Sequence, residues 1–83
     1  IVNRYTAVVM ATVLDAKGLK CPLPVLRARK AMKEVAPGGS LQVLATDPGA
    51  PKDFAHFCEA TGFELIESRQ DGEVFTFVIH KPA

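Results

Sequence analysis

The chain has no tryptophan, one tyrosine and only two cysteines in 83 residues. Two cysteines exclude a disulfide-built scaffold. Cys21 and Cys58 lie far apart and outside a C-x-x-C spacing, so neither an autonomous dithiol oxidoreductase nor a bridge between them is expected. No segment approaches the ~20 apolar residues of a membrane span. Charge of one sign is also missing: 10 basic and 9 acidic residues give a net charge of +1, which by itself selects no partner. Without a basic–aromatic interleave, and with Tyr5 in the N-terminal stretch, direct RNA binding is not expected. "PGGS" lacks the lysine context of a phosphate loop. His56, Cys58 and His80 lack metal-ligand spacing. We therefore expect no metal and no cofactor.

What is present is a single small domain's worth of patterned chain. The hydrophobic fraction of 48% suits a folded protein and not a disordered one. Ile1 to Val9 reads as an upstream extension or remnant before a start at Met10, and residues 10–83 as one domain. "IVNRYTAVVMATV" is broken by Asn3, Arg4 and Thr6, which argues against a secretory signal.

Within that domain, the later part of Val8 to Asp15 is β-branched and apolar, and reads as a strand. Pro22 to Ala36 carries Leu23, Leu26, Ala31, Met32 and Val35 near helical spacing, an amphipathic helix with those residues inward. Pro37-Gly38-Gly39 stops it. Ser40 to Thr46 alternates as a second strand. Lys52 to Thr61 places Phe54, Phe57, Cys58 and Thr61 on one helical face, with Gly62 as the C-terminal cap. Phe63 to Gln70 and Glu73 to Lys81 form a hairpin around Asp71-Gly72, read as a turn with both central residues at positive φ. The order βαβαββ predicts a two-layer α/β sandwich, with two helices covering a four-stranded mixed sheet.

The stretch "LKCPLP" sets a thiol between a strand and a helix. Proline disfavours helical geometry in the residue before it, so Cys21 is expected to be extended, at or just before the helix start. Pro22 and Pro24 both suit a first turn, where the missing N–H costs nothing; either could open the helix. The macrodipole, free N–H groups on Leu23 and Val25, and Lys20 and Lys17 nearby all predict a lowered thiol pKa. The chain shows no evident general base and no third member of a triad, which suits a carrier better than a hydrolase. Lys20 and Arg27 are the docking candidates, facing an acidic partner. Arg29 and Lys33 read as solvated surface. Cys58 reads as core. Asp47-Pro48-Gly49 reads as an Asx-type turn.

Cys21-Pro22-Leu23-Pro24 resembles the Cys-Pro-x-Pro motif of the TusA/SirA-like small sulfur-carrier proteins. The leucine–aspartate strand, the glycine before the motif, the "PGG" break and the "DP" after the second strand stand where that family has them. The resemblance implies a fold like the C-terminal domain of translation initiation factor three. It implies that Cys21 accepts sulfane sulfur as a persulfide from a cysteine desulfurase or rhodanese. That sulfur would pass to a DsrE-like or other acceptor, for tRNA thiolation, molybdenum-cofactor synthesis or sulfur oxidation. It further implies a cytoplasmic carrier, expected to be monomeric, that exchanges persulfide without independent turnover. The family's loop after the second strand lies on the side of the motif, which makes Asp47 a further candidate for partner recognition. The competing reading is a redox or regulatory module that uses Cys21 for mixed disulfides.

Overall fold

A computed structural model describes residues 12–82. The extension expected at residues 1–9 lies outside them. The elements are β1 (Thr12–Ala16), α1 (Leu23–Met32), β2 (Ser40–Ala45), α2 (Ala50–Thr61), β3 (Glu64–Asp71) and β4 (Val74–His80). The sheet order is β1-β2-β4-β3. β1 runs parallel to β2, and β4 is antiparallel to both β2 and β3. The two-layer βαβαββ arrangement is therefore the one its patterning predicts.

Register explains which side chains meet. Leu14 stands opposite Val43, and Val43 opposite Phe77. Residues opposite one another share a face of the sheet. Leu41, Val43, Ala45, Phe77 and Ile79 thus line one face and are fully buried with Phe54, Met32 and Ala28 from the helices. Phe54 stacks on Phe77 with ring centroids 4.6 Å apart, and Phe57 meets Phe54 edge-on at 6.5 Å. This aromatic column holds α2 to the centre of the sheet. Aromatic pairs of this kind add ~0.5–1.5 kcal/mol beyond their burial.

α1 departs from its expected face. Pro24, Ala28 and Met32 are the residues it buries, one every four positions along a single stripe. Leu23 and Leu26, assigned inward by apolar count, are instead 45% and 51% exposed. Alanine at the centre of the stripe lets the helix backbone approach the sheet closely, so the larger leucines are left outside.

Regular helix also ends at Met32 rather than Ala36. Glu34 and Val35 N–H groups donate three residues back, to Ala31 and Met32 carbonyls at 3.0 and 3.2 Å, a tightening common at helix ends. Lys81 Nζ donates to the carbonyls of Met32 (3.2 Å) and Val35 (2.9 Å). A cation just past β4 thus caps the negative end of α1.

The hairpin corrects a second expectation. Asp71 pairs with Val74, so the two-residue turn is Gly72-Glu73, not Asp71-Gly72. Gly72 has φ 64°, and among the described residues no non-glycine residue has positive φ. Positive φ at the first central residue alone is the II′ pattern. Glycine takes the demanding position and Glu73 keeps an ordinary one.

α2 starts at Ala50, two residues before its expected start at Lys52, because Pro51 is well suited to a first turn. It ends as expected: Gly62 has φ 83° and its N–H donates to the Cys58 carbonyl at 2.9 Å.

Candidate functional site

Three connections set the position of Cys21. Asp15 Oδ1 accepts the Lys17 N–H at 3.0 Å, turning the chain out of β1. The Gly18 N–H, at a residue with φ 81°, donates to Thr46 Oγ1 at 2.9 Å, so the turn is tied to the end of β2. The Leu23 N–H donates to the Lys20 carbonyl at 2.9 Å. Cys21 is therefore held in a closed turn outside the helix, as the following proline favours, whereas Leu23 is helical despite preceding Pro24. Its peptide bond to Pro22 is cis. Pro22 is the N-cap and Leu23 the first helical residue, with Pro24 buried in the first turn. Neither proline is the first helical residue, and the Leu23 N–H, expected to face the sulfur, is used by the turn.

Beyond that turn the surroundings differ from expectation. Asp47 Oδ2 accepts the Gly49 N–H at 3.0 Å, the Asx-type bond expected of the β2–α2 loop. Asp53 lies in the first turn of α2, where the helix dipole favours a carboxylate. The Cys21 sulfur and one oxygen of each carboxylate lie within 4.8 Å of one another. The thiol, expected to have a lowered pKa, is held above its ordinary value. The Asp53 carboxylate does this first, as a hydrogen-bond acceptor that favours the protonated thiol. Partial loss of hydration and repulsion from the Asp53 and Asp47 charges follow.

Beside the thiol lies an open pocket of about 310 Å³ lined by Cys21, Pro22, Val25, Asp53, His56 and Phe57. It sits between the starts of both helices. Arg27 does not line it. Two residues from Val25 along α1, it falls on another side of the helix and lines a groove with Leu14, Lys30, Ala31 and Glu34. Lys20 and Arg27 are exposed, and so are Leu23 and Leu26 between them in sequence. The structure thus brings Cys21, Pro22 and Asp47 together and leaves Arg27 on the outer flank.

Asp53 was missed by sequence reasoning. The available signal was its place one turn into the helix after "DPGAP", on the side already assigned to the motif. Thr46 carried no signal, because its role is to accept an N–H from a residue 28 positions away. Among the described residues, Cys21, Asp47 and Asp53 also form a set of side chains that could meet a metal ion. One thiol and two partly exposed carboxylates do not resemble the N/S-rich tetrahedral sets of structural zinc, and we assign it no metal.

Cys21 is thus an exposed thiol at the head of α1, with Asp53 and His56 of α2 lining the pocket beside it. The profile of the family described as Sulfurtransferase TusA matches residues 12–81, and the chain belongs to that family. It is 53% identical over 68 residues to the sulfur carrier protein TusA of Allochromatium vinosum, covering 82% of this chain and 90% of the relative. It is 41% identical over 71 residues to TusA of Pseudomonas aeruginosa, covering 86% and 90%. The crystal structure of a SirA-like protein from Desulfitobacterium hafniense superposes with a TM-score of 0.76 at 28% identity, covering 87% of this chain and 99% of that one. No helix among the described residues is long and apolar enough to cross a membrane.

Proposed function

We propose that this protein is a sulfur carrier that holds sulfane sulfur as a persulfide on Cys21. The carrying observation is that Cys21 is an exposed free thiol at the head of α1, in a chain of the TusA family. The donor is a cysteine desulfurase or rhodanese, and the acceptor is a DsrE-like or other protein of a sulfur relay. The relay ends in tRNA thiolation, molybdenum-cofactor synthesis or sulfur oxidation.

The Cys21 sulfur, as thiolate, attacks the terminal sulfur of the donor's persulfide. A new S–S bond forms on Cys21 while the donor's S–S bond breaks, and the donor leaves as a thiol. Cys21–SH and donor–S–SH become Cys21–S–SH and donor–SH, with no net oxidation. A second exchange in the same sense unloads the carrier. Pro22 and Pro24 stiffen the turn and reduce the order lost when a partner engages.

Leu23 and Leu26 give the docking face its apolar centre, with Lys20 and Arg27 as its basic border and Asp47 on the thiol side. Apolar side chains left outside the core beside a reactive group favour this reading over a plain solvated helix.

The test is mass spectrometry after incubation with a desulfurase and cysteine. The expected product is heavier by about 32 Da, one sulfur atom, and returns to the starting mass with reductant. Cys21→Ser should gain nothing while staying folded. Full loading of that variant would end the proposal, and a mixed disulfide in place of the adduct would favour the redox module.

A further inference from the structure

We propose that Asp53, supported by Asp47, is a positioning residue that keeps Cys21 a neutral, resting thiol in the free carrier, and that a cationic side chain of the docked donor releases it. The inference rests on Cys21 being the sulfur-bearing residue. It names a role for a helix-start carboxylate and the chemistry of the partner group that meets it.

The Cys21 sulfur and one oxygen of each carboxylate lie within 4.8 Å of one another. Cys21 and Asp53 also line the pocket of about 310 Å³ whose apolar walls are Pro22, Val25 and Phe57. The charged and titratable groups facing Cys21 are Asp47 from the β2–α2 loop and Asp53 and His56 from α2. Lys20 precedes it on its own turn. Negative charge dominates, and the two carboxylates oppose a third negative charge on the sulfur. A thiol of this kind resists adventitious oxidation and exchange, because the thiolate is the species that reacts.

Docking changes the balance. A guanidinium or ammonium group brought by the donor beside Asp53 accounts for its charge and removes it as an acceptor for the thiol proton. That proton is then lost to solvent, and the sulfur attacks as thiolate. The donor's leaving sulfur takes a proton from solvent, so the exchange balances as written above. A loaded persulfide is a stronger acid than a thiol, so its terminal sulfur ionises more readily than the empty thiol even beside the carboxylates. The carrier is quiet when empty and ready when loaded.

The experiment uses the full chain and two readouts. The first is the rate of Cys21 alkylation by iodoacetamide as a function of pH. Asp53→Asn should lower the midpoint and raise the rate at neutral pH several-fold. Asp53→Glu should restore much of the wild-type profile, and Glu59→Gln, an exposed acid further along α2, should leave it unchanged. The second readout is loading. Asp53→Asn should raise the KM for a protein desulfurase while speeding loading from inorganic polysulfide. An alkylation profile unchanged in Asp53→Asn, or slower at every pH, overturns the resting-thiol role. An unchanged KM overturns the cationic partner group. If wild-type Cys21 took no sulfur from either donor, the carrier reading would fail, and the alkylation profile would still decide what Asp53 does to the thiol.

Discussion

The two cysteines of this protein are both poorer acids than a free thiol, for opposite reasons. Cys58 lies on the inner face of α2, buried beside Phe54 and Phe57. Burial alone pushes its pKa up to about 11. Cys21 is exposed, and the Asp53 carboxylate heads the causes that raise it. A thiol silenced by burial is released only when the fold opens. A thiol silenced by neighbouring charge is released by anything that cancels the charge. The same helix supplies both environments: its first turn presents Asp53 outward and its later turns bury Cys58. Only the Cys21 arrangement can be switched by a partner without unfolding.

The largest contrast expected is in labelling. A thiol reagent should modify Cys21 in the native protein about a thousand-fold or more faster than Cys58, which is reached only through opening of the core. Mass spectrometry of the labelled peptides measures the ratio. Phe54→Ala should collapse it, because truncating a fully buried phenylalanine at the centre of the aromatic column costs about 3–5 kcal/mol. Comparable native rates for the two cysteines in the wild type would break the comparison.

A smaller effect is expected in the pH dependence of stability. Cys58 has a folded pKa of about 11 against an ordinary value of 9.0. Its neutral form is favoured in the fold, so its contribution is complete below about pH 9 and declines as pH rises toward about 11, where the unfolded chain has already lost the proton. Urea unfolding of wild type and Cys58→Ala at about pH 8 and about pH 10.5 should show the wild-type advantage shrinking at the higher pH. Cys58→Ala itself should cost of order 1 kcal/mol at pH 8. An advantage that grows with pH would have the wrong sign.

The smallest expected effect separates charge from burial directly. Raising ionic strength shortens the screening length from ~30 Å at 0.01 M to ~3 Å at 1 M. The alkylation midpoint of Cys21 should fall with salt, and the titration of Cys58 should not follow. Equal salt responses would mean that carboxylate charge, as distinct from the Asp53 hydrogen bond, adds little at Cys21.

Much of this was legible in sequence order. The alternation of Ser40 to Thr46, the apolar stripe of Phe54, Phe57 and Cys58, and Gly62 as a cap are local patterns, and local patterns survive into the fold. The errors had local causes too. Helical periodicity counts apolar residues and so predicts Leu23 and Leu26 inward, whereas packing selects the stripe of Pro24, Ala28 and Met32 that lets two layers approach. The hairpin slipped by one residue because Asp-Gly and Gly-Glu both offer a glycine, and only strand register chooses between them.

By itself the sequence favoured a place for Cys21 outside the helix, since proline disfavours helical geometry before it, although Leu23 is helical before Pro24. It also determined the element order and the inward position of Cys58. Tertiary structure decided the chemistry around the sulfur. Asp53 is 32 positions from Cys21, and Thr46 anchors Gly18 across 28. Electrostatic effects depend on distance through space, and the neighbours in sequence, Lys20 and Lys17, predict the opposite sign from the neighbours in space. The acidity of the thiol was therefore settled only when the sheet brought the starts of α1 and α2 together.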